Sequence, residues 1–496
     1  MDIPTSPAMR RRIVHEEILP DLDLRPFIGG EFVNSLSNKV LRVTDPMTQQ
    51  LLAEIPSASS ADIDTAVSAA RTAFDSGMWS DIHPRERAKF LYRLADLIER
   101  DLTSLALLEA ADTGKRYRGV LGWDIPNAAE VYRYYAGWAD KLSGLLLPSL
   151  PGVEMLTRRE PIGVCAAIIP WNFPFPCIAW KIGPALAAGC TVIVKSAERA
   201  PLSAQYLAKL VQEAGFPKGV INVICGIGEE TGRTLVSDAR VDKITMTGEA
   251  ATAQDILLTS LSHLPRVTFE LGDKTPNVIC EDAELDLAAK SAVSATFNVS
   301  GQNCCAGSRT IVHQAVFEQV LDRMAAQAAT RRLGDQFLDE TEQGPQIDRE
   351  HVARIDQFVK GAVSAGGQCV VGGSPWGDGQ FYAPTLLTGL SNNAPINRQE
   401  VFGPVGTVIP FSDIDEAIYL ANDRDFGLAA AIWTRSVRTS DYFLRKVRAG
   451  TCWVNCYEYF DTVAPWGGRK LSGTGRELGF EGIEQFLETK TIVRVY

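Results

Sequence analysis

Val164-Cys165-Ala166-Ala167-Ile168-Ile169 is one of two short apolar runs whose reading sets the fold; the other is Thr191-Val192-Ile193-Val194-Lys195. Between them lie the helical stretch Cys177–Ala188 and then Gly189. Neither run alternates polar and apolar residues, which is what a strand buried on both faces requires. The pattern continues outward. A helix is expected over Pro201–Ala214, with proline in its first turn. Strands are expected at Val220–Ile224 and Lys243–Thr247 around a helix near Glu229–Ser237, and a further strand at Val267–Leu271. This alternation predicts a parallel, doubly wound α/β sheet, which binds ligands at the carboxyl ends of its strands.

Before this core, residues 59–140 carry helical periodicity, with Ser60 as a candidate N-cap and a second helical stretch over Arg85–Leu108. After it, a second alternating region runs from about 289 to 470. In that region the helical Glu284–Phe297 leads into a cysteine loop, and strands are expected at Ser308–Val312 and Gly406–Pro410. Lys490–Tyr496 alternates like an edge strand. A chain of 496 residues exceeds one ordinary core and predicts two or three lobes. A net charge of −11 argues against a nucleic-acid partner. No apolar run is long enough for a membrane span, and Arg10-Arg11-Arg12 is followed by acidic residues instead of a leader-like apolar stretch. Of the 10 cysteines, Cys165, Cys177, Cys190, Cys225 and Cys280 sit in apolar runs and read as small core residues, so a reducing cytoplasm is expected. The five histidines are scattered, and no metal site is implied.

Three turns carry chemistry. Gly301-Gln302-Asn303-Cys304-Cys305-Ala306-Gly307 sets a thiol in a glycine-bounded loop, where small neighbours leave the sulfur approachable. A partly ionised thiol attacks carbonyl carbon well. Cys305 reads as a bystander, since a disulfide between adjacent residues is strained. Asn172, within Pro170-Trp171-Asn172-Phe173-Pro174, is either a turn asparagine or a donor aimed at a developing oxyanion. Glu270 closes an apolar run, where a carboxyl is pushed toward neutrality and becomes a base; the alternative is a bridge to Lys274. Lys195 and Glu198 leave a strand end, where an acidic residue either binds ribose hydroxyls or is simply solvated.

Together these segments resemble the NAD(P)-dependent aldehyde dehydrogenase superfamily of the hydrolytic type, from about residue 24 to the C-terminus. The likeness extends through Glu400-Val401-Phe402-Gly403-Pro404, Trp453-Val454-Asn455-Cys456, Pro465-Trp466-Gly467-Gly468 and Gly475-Arg476-Glu477. It implies an NAD-binding domain over 1–141 and 161–271 and a catalytic domain over 272–482, both Rossmann-like α/β units. It also implies a small oligomerisation β-extension from 142–160 and 483–496, joining a homodimer or homotetramer. Cys304 would attack the aldehyde, and Asn172 with the Cys304 N–H would hold the oxyanion. Glu270 would activate water, and Lys181 would support the site. The implied cofactor contacts are Ile169, Pro170, Trp171, Lys195, Glu198, Gly228, Thr247, Gly248, Glu249, Leu271, Glu400 and Phe402. Glu198 beside the 2′-hydroxyl favours NAD over NADP. The implied substrate tunnel takes Phe173, Cys177, Trp180, Asn303, Cys305, Tyr457, Phe460 and Trp466. Its aromatic wall suits a hydrophobic or aromatic aldehyde, or a cationic one, because Ala464-Pro465-Trp466-Gly467-Gly468 looks like the betaine- and amino-aldehyde branch.

The chain departs from that family pattern in two places, besides the milder change of Lys-Pro-Ser-Glu to Lys195-Ser196-Ala197-Glu198. The family's Thr-Gly-Ser, with glycine four residues after the serine, reads Thr247-Gly248-Glu249 and Ala253 here. A carboxylate about 4 Å from a pyrophosphate charge costs from ~1 kcal/mol in water to ~4 kcal/mol at an effective dielectric of 20. Asp273 stands where the family usually has glycine, and is expected to add a carboxylate near the nicotinamide end and Cys304. These features keep open a weakly active or non-catalytic member with impaired NAD binding. A CoA-acylating relative is the other rival, and retention of Glu270 speaks against it.

Overall fold

Val164–Ile168 is a central strand of an eight-stranded sheet, in the computed structural model that describes residues 6–496. Thr191–Ser196 and Ile221–Cys225 add in parallel on one side of it, and Lys243–Gly248 and Arg266–Leu271 on the other. The chain therefore winds one way, crosses back and winds the other way. The crevice opens between the carboxyl ends of Val164–Ile168 and Lys243–Gly248, the point where strand order reverses. Short antiparallel strands close both edges: Phe27–Ile28 beside Ile221–Cys225 with Glu31–Phe32 outside it, and Gly473–Thr474 beside Arg266–Leu271. Every residue of the helix Pro174–Ala188 is buried, as an all-round apolar helix must be, and it ends at Gly189 with φ +106°.

The second sheet has six parallel strands, Thr385–Thr388, Val405–Phe411, Arg309–His313, Pro276–Ile279, Ala429–Trp433 and Thr451–Val454, with an antiparallel edge at Gln368–Val371. A third, antiparallel sheet pairs Leu487–Val495 with Val153–Pro161 and Leu146–Leu147. Its flanks leave Leu145, Leu146, Leu150, Val493 and Val495 exposed. The C-terminal strand thus begins earlier than its alternation suggested.

Two local expectations are corrected. Ser59, not Ser60, caps the first long helix: its hydroxyl accepts from the Asp62 N–H while the Asp62 carboxylate accepts from the Ser59 N–H, a capping box. The helical stretch 85–108 is two helices, Pro84–Arg100 and Leu102–Thr113, divided at Asp101. The Asp101 carboxylate is taken by Arg100 and the Tyr206 hydroxyl, so it serves tertiary contacts at a helix break. All ten cysteines are free thiols, and the five expected in the core are buried. Among the described residues no helix is long and apolar enough to cross a membrane.

Candidate active site

The helix Leu285–Phe297 delivers the cysteine loop, and the loop is held in an unusual path. Val299, Ser300 and Gly301 all have positive φ (52°, 58° and 73°), which is strained for a β-branched residue. The strain persists because neighbours over-determine the loop. The Ser300 hydroxyl donates to Gly344 O at 2.8 Å, Gln346 Nε2 donates to Ser300 O at 3.0 Å, and the Ile347 N–H donates to Gln302 Oε1 at 2.9 Å. A Cβ on Gly301 would enter the Gly403 backbone, so this glycine is required by close approach as well as by φ. The outcome is a partly exposed Cys304 beside a buried Cys305.

The three expected partners meet here. Asn172 is buried, and its Nδ2 donates to Gln302 O at 3.0 Å, tying the strand-end turn to the cysteine loop and leaving the second amide N–H available. Glu270 is buried with no partner on either carboxylate oxygen, so the alternative bridge to Lys274 does not form. Burial first, and then the charge of Glu477, raise the Glu270 pKa well above the usual carboxylate range. Room for this carboxylate comes from Gly467, whose Cβ would stand 2.7 Å from Glu270 Oε1. Lys181 donates to Thr247 Oγ1 at 2.7 Å and pairs with Glu477. The role of Glu477 escaped the reading of the sequence, although its Gly475-Arg476-Glu477 string was noted; nothing local marks a charge that the fold buries beside Lys181.

Two cavities converge on this cluster. The larger, about 800 Å³, runs along the carboxyl ends of the first sheet. All twelve residues expected to contact the cofactor line it, from Lys195 and Glu198 (3.2 Å apart) to Glu400 and Phe402. Burial pushes Glu400 up to about 8. Gly272 is needed beside it, because a Cβ there would collide with the Glu400 carboxylate. The sequence reading missed His351 and Arg354, which line the opposite wall.

The smaller cavity, about 240 Å³, holds about eight waters' share of liquid volume. Phe173, Cys177, Trp180, Asn303, Phe460 and Trp466 line it as expected. Cys305 and Tyr457 do not: the Tyr457 hydroxyl donates to Cys305 O at 2.7 Å, and both stand behind the wall. The wall gains residues that periodicity did not mark, namely Lys115, Arg116, Trp123, Asp124 and Glu458. A π-turn at Val120–Asp124, of the kind that interrupts helices at functional sites, turns Trp123 and Asp124 inward. Trp123 meets Phe173 and Phe460, each at 5.9 Å between ring centres. Asn172, Thr247, Glu270 and Cys304 border the smaller cavity, and all four also line the larger one.

The two departures prove different in kind. Asp273 turns away from Cys304: it pairs with Arg424, accepts from the Ala429 N–H at 3.1 Å and from Thr275 Oγ1 at 2.6 Å, and lines neither cavity. The Asp273 carboxylate lies in a buried pair with Arg424 and not in the cavity wall, and its charge reaches the larger cavity through Glu400, whose pKa it helps to raise. Glu249 stays in the cavity wall as the N-cap residue of the helix Ala250–Ser260, 3.8 Å from Arg354 across the crevice, while Ala253 is buried beneath.

The sequence profile described as "Aldehyde dehydrogenase family" matches residues 32–492. The chain is 43% identical to aldehyde dehydrogenase family 2 member B4, mitochondrial, of Arabidopsis thaliana, over 94% of this chain and 87% of that one. It is 41% identical to the benzaldehyde dehydrogenase, mitochondrial, of Antirrhinum majus, over 94% and 88%. The betaine aldehyde dehydrogenase of Staphylococcus aureus, solved with NAD+, superimposes with a TM-score of 0.96 at 36% identity, over 98% of this chain and 97% of that one.

Proposed function

The chain belongs to the aldehyde dehydrogenase family, an oxidoreductase family, and from that premise we propose that it oxidises an aldehyde to a carboxylic acid with NAD, through a thiohemiacetal and then a thioester on Cys304. The observation that carries the reading is that Cys304, Asn172 and Glu270 border both cavities, so one thiol faces a cofactor-sized space and a substrate-sized space together. Cys304 adds to the carbonyl carbon, and the new oxyanion takes the Asn172 amide hydrogen that Gln302 leaves free. The residues lining the larger cavity would hold NAD, which would supply the hydride acceptor for oxidation of the thiohemiacetal to a thioester. Glu270, once deprotonated, takes a proton from water as the water oxygen attacks the thioester; the C–S bond breaks and the acid leaves.

The chain's own residues fit the cofactor. Lys195 and Glu198, 3.2 Å apart in the larger cavity, would hold an adenosine ribose, and Glu198 would repel a 2′-phosphate, which supports NAD over NADP. The N-terminus of Ala250–Ser260 suits a pyrophosphate, with Glu249 as an opposing charge at its N-cap. The domain assignment, the Cys304, Glu270, Asn172 and Lys181 roles, and subunit contact through the exposed apolar flanks of the third sheet belong to the same proposal. So does a reducing compartment such as the cytoplasm, which ten free thiols support. An aromatic aldehyde is the favoured substrate, supported by the ring-lined cavity and by a relative named a benzaldehyde dehydrogenase. The betaine aldehyde dehydrogenase likeness supports a cationic aldehyde more distantly. The test is NADH formation with a panel of aldehydes, with and without CoA, against Cys304→Ala. Aldehyde-dependent NADH without CoA that vanishes in the variant is expected; no Cys304-dependent NADH under any condition rules the reading out.

A further inference from the structure

We infer that the wall of the smaller cavity built by residues 115–124 is an anion subsite, and that the aldehyde this protein takes carries a carboxylate on its apolar body, received by Arg116. This rests on the oxidation proposed above and adds the substrate class. Arg116 is half-buried and lines the cavity, and its guanidinium has no hydrogen-bond or ion-pair partner among the described residues.

Each neighbouring charge is already satisfied. Lys115 pairs with Asp124 and stands 3.4 Å over the Phe173 ring. Glu458, whose two oxygens accept from Asn298 at 3.0 Å and from Asn303 at 2.6 Å, and Glu342, which pairs with Arg332, act on Arg116 through charge alone and take no hydrogen bond from it. Burial also raises Glu458 to about 7, so much of it is uncharged at neutral pH. The ion pair cancels itself, and the N–H donors of Arg116 stay unengaged among the described residues. Its planar fork of N–H donors matches a carboxylate in two parallel hydrogen bonds, and its positive charge disfavours a trimethylammonium aldehyde. The aromatic wall supplies the apolar contact that the body of such a substrate needs.

Steady-state kinetics on the full chain with NAD decide the matter, using two matched pairs: 4-carboxybenzaldehyde against 4-methylbenzaldehyde, and 6-oxohexanoate against hexanal. In the parent, the carboxylated member of at least one pair is expected to have the higher kcat/KM. Arg116→Gln should lower the carboxylated-to-neutral ratio of that pair about tenfold, mainly through KM, as loss of a charge-assisted hydrogen bond implies. Arg116→Lys, which keeps charge without the fork, should recover part of it. A ratio unchanged by Arg116→Gln in both pairs, or a preference for betaine aldehyde over both carboxylated compounds, overturns the inference. If the parent oxidises no aldehyde, the oxidation reading fails instead. Calorimetry with 4-carboxybenzoate on parent and Arg116→Gln then decides the subsite alone, and equal affinities overturn it.

Discussion

Replacing Glu249 by serine should tighten NAD binding. The carboxylate stands at the N-terminus of Ala250–Ser260, where a pyrophosphate would otherwise meet only backbone N–H groups and a favourable helix dipole. Its side chain is 67% exposed, so the local dielectric lies near that of water and not near that of an interior. At about 4 Å a unit-charge pair then costs ~1 kcal/mol, about fivefold in a dissociation constant. Arg354, 41% exposed and 3.8 Å away, draws the carboxylate toward the far wall and holds the penalty at this lower end. Isothermal titration of NAD into parent and Glu249→Ser at low ionic strength should give about a fivefold difference. At about 1 M salt, where the Debye length is ~3 Å, the difference should shrink below about twofold. A cycle with Arg354→Gln isolates the pair: Glu249→Ser should gain more affinity when Arg354 is absent than when it is present. If Glu249→Ser binds NAD no tighter at low salt, or the gain survives at high salt, charge repulsion is not what this residue contributes.

Glu270→Gln should release about one equivalent of NADH per subunit and then stall, since acylation survives and thioester hydrolysis does not; rapid-mixing absorbance shows the burst. In the parent, the hydrolytic step should rise with pH, because the base must lose a proton from a group whose pKa is raised above the usual carboxylate range. Glu477→Gln removes a negative charge that raises Glu270, so that rise should shift to lower pH in a kcat–pH profile; a shift upward contradicts the assignment. Asp273→Ala leaves Arg424 buried without its partner and should cost about 3–5 kcal/mol in denaturant unfolding, much of it recovered in Asp273→Ala/Arg424→Leu. Gly301→Ala, which collides with the Gly403 backbone, should displace the cysteine loop and change the alkylation rate of Cys304 while the rest of the fold persists.

Much of the first sheet was legible because its strands are buried on both faces. Val164–Ile168 and the Val192–Val194 centre of Thr191–Ser196 read as apolar runs, and the helices that follow close at Gly189 and Gly215, where left-handed backbone is needed. The helix division at Asp101 and the π-turn at Val120–Asp124 were not legible. Both depend on what a side chain meets in space: for Asp101 an arginine and a tyrosine, for Trp123 two rings from distant segments.

By itself the sequence determined which groups are available: a glycine-bounded thiol, a turn asparagine, a carboxyl in an apolar run, and two acidic departures at Glu249 and Asp273. Only the tertiary structure decided what each departure does, because a charge takes its meaning from its nearest partner and that partner lies far along the chain. Asp273 is held in the interior by Arg424 and reaches the crevice only through Glu400, whereas Glu249 faces a solvated arginine and stays in the cavity wall. The same logic picks out Arg116, unremarkable in sequence, as a guanidinium in the wall of the smaller cavity with no hydrogen-bond or ion-pair partner among the described residues.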